Sequence, residues 1–253
     1  MDLFLGTVDL PFEIRDARHW LCGVEFIMSS GFEFQLASYT TMPVTLLETL
    51  YSMRKKIFSD RLEWKVRVSH AFEFDEYDNA ATTYLVGSWK GVPLAGLRLI
   101  NTCDPYMLEG PFRSFFDCAA PKNAAMAESS RFFVDTARAR SLGILHAPLT
   151  EMLLFSMHNH AALSDLQSII TVVSKAMARI VRKSGWEHHV LSTGEASPGE
   201  TVLLLEMPVT ADNHQRLLEN IALRQPVTDD LLRWPIALGV SGSAPQACMH
   251  SAA

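Results

Sequence analysis

Charged side chains stand inside the most apolar stretches of this chain, and that pattern limits the folds open to it. In GLRLI, Arg98 lies between Leu97 and Leu99, and in AESSRFFVD, Glu128 and Arg131 accompany Phe132, Phe133 and Val134. A further arginine, Arg54, falls within a helical stripe made by Leu47, Leu50, Tyr51, Ile57 and Phe58. An unpaired buried charge costs several kcal/mol, much of a domain's net stability. These cations therefore need anions, and the run EFDEYD, with Glu73, Asp75, Glu76 and Asp78, can supply them. The expectation is one network around a polar cleft.

Taken singly, each feature has a plainer explanation. Arg54 can snorkel from a helix edge, Arg98 and Arg131 can be structural ion pairs, and an acidic run is commonly a solvated loop. EFDEYD also lacks the glycine and ligand spacing of an EF-hand. The co-occurrence of core-facing arginines with nearby acids is what points to function. Two-residue alternation would put Glu128 and Arg131 on opposite faces of a sheet. A shared site then requires a β-bulge between them, expected at Ser129 or Ser130.

The formal charge of −6 and pI near 5.8 give no basic surplus for general binding to nucleic acid or an anionic membrane. Cys22, Cys103, Cys118 and Cys248 are far apart, with neither disulfide-framework nor metal spacing, which suits a reducing cytoplasm. No apolar run approaches the ~20 residues of a membrane helix. Asp2, Asp9 and Glu13 do not fit the start of a secretory signal. Residues 1–27 read as an extension or the product of an upstream start codon, 28–238 as one domain, and the Ser-, Gly- and Ala-rich 239–253 as a disordered tail.

FEFQLA alternates as a strand, and PVTLLETLYSMRKKIF changes to helical spacing. TTYLVGSW and VPLAGLRLI read as a hairpin across Lys90 and Gly91. A strand near 125–134 follows, then a helix near 147–162, the strand IITVVS, a helix from 174 to 184, strands near 187–192 and 201–207, and a helix near 213–224. Strands and helices mix without strict alternation, which predicts an α/β sandwich with a mixed sheet.

Read in order, LYSMRKKIFSDRLEW with Arg54, Phe58 and Trp64, EFDEYD with Asp75 and Asp78, GLRLI with Arg98, and ESSRFFVD with Glu128 and Arg131 resemble the acyl-homoserine-lactone synthases, the LuxI-type autoinducer synthases of quorum sensing. One departure is Glu63, where relatives often carry glycine before the tryptophan; it bears on the local turn. The resemblance runs from about Met28 to the 201–207 strand. It implies a GNAT-like αβα sandwich and an acyl transfer between S-adenosylmethionine, a substrate rather than a cofactor, and an acyl chain on acyl carrier protein. It further implies that Arg54, Asp75, Asp78, Arg98 and Arg131 shape the adenosylmethionine site, and that Phe58 and Trp64 close over it. Glu128 is the candidate base, a carboxylate that can take the proton of the attacking amine. The bulged stretch Ser130 to Phe132 is the candidate oxyanion donor.

By the same resemblance, Thr171 marks a position that in some relatives favours a 3-oxo acyl chain, with Met157 and Val173 lining the same tunnel. Lys175, Arg179, Arg182 and Lys183 form a basic stripe on an acidic protein, a suitable dock for an acidic carrier, and Arg138 and Arg140 would extend it. Two other readings stay open: a CoA-dependent N-acyltransferase, for which RSLGIL (Arg140 to Leu145) supplies only part of a pyrophosphate loop, and a non-catalytic sensor of adenosylmethionine or an acyl chain. The sequence does not give acyl length or oligomeric state.

Overall fold

The computed structural model describes residues 31–224. The expected extension at 1–27 and tail at 239–253 lie outside the described residues. The strands are β1 (Phe32–Ser38), β2 (Val68–Ser69), β3 (Phe72–Glu73), β4 (Thr82–Trp89), β5 (Val92–Asn101), β6 (Met126–Val134), β7 (Ser168–Ser174), β8 (His189–Ser197) and β9 (Glu200–Pro208). The helices are α1 (Val44–Arg54), α2 (Thr136–Ser141), α3 (Leu149–Leu163), α4 (Lys175–Lys183) and α5 (Ala211–Ala222). A seven-stranded sheet runs β1-β4-β5-β6-β7-β9-β8, while β2 and β3 pair separately.

All pairs in the large sheet are antiparallel except β6 with β7. That parallel step requires a crossover, which α2 and α3 provide. The β4–β5 hairpin turns at Lys90 and Gly91, both left-handed at φ 47° and 77°, as a two-residue turn of matching twist needs.

Side-chain alternation divides the sheet into two faces. One carries Leu97, Leu99, Ala127 and Ile169 into a core with α3, Trp186 and α5. The other carries Tyr84, Val86 and Phe133 against α1, and Ile100, Ile170 and Leu204 against the 102–120 segment. This is an αβα sandwich of the GNAT-like kind.

Three features differ from the sequence reading. The helix expected through Phe58 stops being α-helical at Arg54 and continues as a π-helical stretch, Lys55–Arg61. The short α2 was not foreseen; Asp135 caps it by accepting from Arg138 N–H at 3.0 Å. Finally, β8 reaches Ser197. It is an edge strand and largely exposed, so its second half shows little apolar periodicity.

Glu63 holds φ 53° at the end of the π-helical stretch, where the chain folds Trp64 back so that its N–H donates to Phe58 O at 2.9 Å. The glycine common at this position in the resembled family answers that backbone demand. Relief of a left-handed side chain is worth about 1 kcal/mol, so Glu63→Gly should raise the unfolding midpoint by a few degrees. A lower midpoint in thermal unfolding would refute the assignment of strain to this turn.

Candidate active site

The expected bulge exists, one residue later than the sequence suggested. Arg98 pairs with Ser130 and Gly96 with Phe133, so Arg131 and Phe132 together oppose Leu97. Arg131 is itself the left-handed residue, at φ 54°. The extra residue reverses the alternation after Ser130. Arg131 and Phe133 thus join Glu128 and Ser130 on the face that bears Arg98, whereas Phe132 packs toward the α3 side.

Three arginines and three carboxylates close a ring on this face. Arg54 donates Nε to Glu73 Oε2 at 2.5 Å and both terminal nitrogens to Asp78, at 2.8 and 3.0 Å. Glu73 Oε1 accepts from Arg131 Nε at 2.9 Å, and Arg131 Nη2 donates to Asp75 Oδ2 at 2.8 Å. Asp75 Oδ1 accepts from Arg98 Nη1 at 2.5 Å, and the same nitrogen lies 3.1 Å from Asp78 Oδ1. Each carboxylate therefore bridges two guanidiniums, and the ring is formally neutral. Tyr84 donates its hydroxyl to Asp78 at 2.8 Å, and Arg98 Nε donates to Ser130 Oγ at 3.1 Å.

Arg54, Arg98 and Glu73 are 1 % exposed or less, so pairing must offset nearly complete desolvation. Desolvation raises the Asp78 carboxyl, but Arg54 and Arg98 outweigh it and hold the group well below the usual carboxylate range. Burial likewise opposes the Arg54 charge, yet Asp78 and Glu73 raise it above its ordinary value. Glu73 belongs to this ring as fully as the two aspartates. Glu73 and Asp75 are two apart, and the extended backbone between them aims both the same way.

Glu128 lies beside the ring rather than in it. Its Oε2 accepts from Met107 N–H at 2.9 Å and its Oε1 from Leu108 N–H at 3.0 Å. Burial pushes this carboxyl up to about 7, against the lowering effect of those two N–H groups and of Arg98 and Arg131. A buried carboxylate poised near neutrality is suited to accepting a proton. The fixation by residues 107 and 108 was not legible in the sequence, because the 102–120 segment has no periodicity to place it.

β6 and β7 pair only from Met126 with Ser168 to Glu128 with Ile170. Beyond that point Thr171 donates its hydroxyl to Ser129 O at 2.8 Å, on the opposite face from Ile170. The Thr171 hydroxyl is thus held by the β6 main chain. Met157 is buried in the α3-side core, and Val173 is half-buried on the same side of β7 as Thr171.

Phe58 is buried and stacks with Trp64 at 5.2 Å between ring centres; its ring also lies 5.9 Å from the Arg131 guanidinium carbon. Trp64 is 50 % exposed, an outer cover on Phe58 rather than core. Lys175, Arg179, Arg182 and Lys183 are all exposed on α4, and none has an ion-pair partner among the described residues. Arg138, on α2, is half-buried and donates to Pro93 O at 3.0 Å.

With ring, bulge and buried acid defined, the chain can be set beside known proteins. Residues 38–217 match the autoinducer synthase family. The chain belongs to that family. An acyl-homoserine-lactone synthase of Pseudomonas amygdali pv. tabaci is 98% identical over 226 residues, 89% of this chain and 100% of the relative. One from Serratia liquefaciens is 36% identical over 72% of this chain and 92% of its own. Among solved structures, the synthase LasI superposes with a TM-score of 0.67 at 22% identity, covering 76% of this chain and 96% of LasI, a likeness of fold. This autoinducer synthase is accordingly an acyltransferase-type enzyme that makes an acyl-homoserine-lactone signal for quorum sensing. No helix among its described residues is long and apolar enough to cross a membrane.

Proposed function

We propose that the enzyme acylates the amine of S-adenosylmethionine with an acyl group carried as a thioester on acyl carrier protein, then closes the lactone and releases methylthioadenosine. The observation that carries this reading is Glu128, a buried carboxylate raised to about 7 beside the point where β6 and β7 stop pairing. The amine gives its proton to Glu128 and attacks the thioester carbonyl. The carbon–sulfur bond of the thioester breaks, and the carrier thiolate leaves. The methionyl carboxylate then attacks its own γ-carbon, and methylthioadenosine departs with the electron pair of the broken carbon–sulfonium bond. That second step needs chiefly positioning, since the sulfonium is already activated.

In this reading the ring of Arg54, Glu73, Arg131, Asp75, Arg98 and Asp78 holds the walls of the adenosylmethionine site, under Phe58 and Trp64. Oxyanion stabilisation falls to the bulged stretch Ser130 to Phe132, where β6 has no β7 partner. The acyl chain passes between the two strands toward Met157, Thr171 and Val173. The fold relative BjaI has been solved with SAM and isopentyl-CoA. What favours a carrier protein here is the exposed, unpaired stripe on α4, which would attract an acidic partner.

Incubation with S-adenosylmethionine and matched acyl groups on carrier protein or on CoA tests both parts, with lactone and methylthioadenosine followed by mass spectrometry. Preference for the carrier-bound acyl group is expected. A preference for CoA would remove the carrier protein from the reading, and lactone from neither donor would remove the reaction. Charge reversal at Arg179 and Arg182 should raise KM for acyl carrier protein about tenfold or more while leaving KM for adenosylmethionine unaltered. Unchanged kinetics would exclude α4 as the dock.

A further inference from the structure

Glu128 is held by two backbone N–H groups that no helix or strand directs. Met107 and Leu108 donate to its Oε2 and Oε1 at 2.9 and 3.0 Å, and they belong to a stretch, 102–112, with neither helix nor strand. Within it Glu109 N–H returns to Tyr106 O and Gly110 N–H to Met107 O, each at 3.1 Å. Two side chains fasten that turn from outside. Tyr106 is fully buried, and its hydroxyl donates to Pro121 O. Lys122 Nζ grips both ends, donating to Asp104 O at 3.1 Å and to Glu109 Oε2 at 2.7 Å, and it lies 5.1 Å from the centre of the Tyr106 ring. Both anchors stand just before β6, the strand that carries Glu128. Asn123 ties the same stretch to Thr102, whose Oγ1 accepts from Asn123 N–H at 2.9 Å. The strand of the acid and the turn that holds the acid thus share one fastening.

We propose that Tyr106 and Lys122 are positioning residues for the acyl transfer: they hold the 104–109 turn so that the Met107 and Leu108 N–H groups stay on the Glu128 carboxylate. The hydroxyl and the ammonium make their hydrogen bonds to the turn and its anchor, not to Glu128, so both act through the main chain. Hydrogen bonds to the charged form favour it, and these N–H groups oppose the burial that raises Glu128. Slackening the turn weakens them, and the carboxylate then keeps its proton to higher pH. Besides Tyr106, the titratable and charged groups acting on Glu128 are Arg98 on β5, Arg131 on β6 and Tyr77 of the acidic loop, all of which the substitutions below leave in place. This inference rests on the reading of Glu128 as the base and names the residues that hold it ready.

NMR of the full chain with isotope-labelled glutamate carboxyls reads the Glu128 titration directly, its signal assigned by its loss in Glu128→Gln. Tyr106→Phe keeps the buried ring and deletes one hydrogen bond, and it should move that titration up by about one pH unit. Lys122→Met should move it the same way by less, since the Lys122–Glu109 pair is partly exposed, and Lys122→Arg should restore the parental value. The lysine variants carry the test if Tyr106→Phe does not fold. Relative to the parent, kcat/KM of Tyr106→Phe should fall roughly tenfold at about pH 6 and by less than about twofold at about pH 8.5, as such a shift requires. A titration unmoved or lowered in the folded variants, or an equal loss of activity at both pH values, would overturn the positioning role alone. A Glu128→Gln variant as active as the parent would overturn the base reading and the positioning role with it.

Discussion

Glu128→Gln is expected to fold and to lose amide formation by about a hundredfold to ten-thousandfold in kcat/KM, the range for removing a general base. The fold should survive because two effects oppose each other. Both carboxylate oxygens accept backbone N–H groups, from Met107 and Leu108. A glutamine can satisfy only one of them and turns its NH2 toward the other, at a cost of about 1–3 kcal/mol. Against that, the carboxyl is raised from 4.5 to about 7 by burial, and removing a charge so displaced recovers about 3 kcal/mol at alkaline pH. Activity retained near the parental rate would transfer the base role to another group or to water.

The same shift fixes two pH dependences. In the parent, kcat/KM should rise with pH and level off above about 7, as Glu128 loses its proton; the Gln variant should lack that limb. Stability runs the other way. The folded protein holds this proton more tightly than the unfolded chain, so Glu128 contributes most below pH 4.5, and the contribution is lost as pH rises through about 7. Asp78 has the opposite sign: its lowered carboxyl stabilises above the ordinary carboxylate range and loses that effect as acid protonates it. Chemical denaturation of parent and Gln variant across this range would separate the two groups.

Arg54→Met should lower stability by about 3–5 kcal/mol, the usual consequence of breaking a buried ion pair from one side. The substitution strips Glu73 and Asp78 of one guanidinium each at positions with almost no access to solvent. Adding Asp78→Asn removes part of the uncompensated charge, so the double variant should lose less than the sum of the singles. Additive losses in urea unfolding would show that the ring is not one coupled unit.

How far the sequence showed this site follows from which signals are local. The β4–β5 hairpin and the helices α4 and α5 carry their turn residues and periodicity on their own segments, whereas α3 is an apolar run buried nearly all round. The arginines announced themselves because a charge in an apolar run needs a partner, and Asp75 and Asp78 belong to a run with four acids in six residues. Glu73 was visible in the run but not separable from Glu76, which is exposed, since only the tertiary placement of the loop distinguishes them. The bulge was deducible from alternation, but its position was not. A strand read from its apolar residues gives no reason to place arginine, rather than serine, in a left-handed conformation.

That conformation makes Arg131 a position where backbone and side chain ask for different amino acids. The main chain at φ 54° would be most relaxed with glycine, whereas only a long forked cation reaches Glu73 and Asp75 together. No single residue meets both requirements, so selection for a sturdier fold has no substitution to offer here that leaves the charge pattern intact.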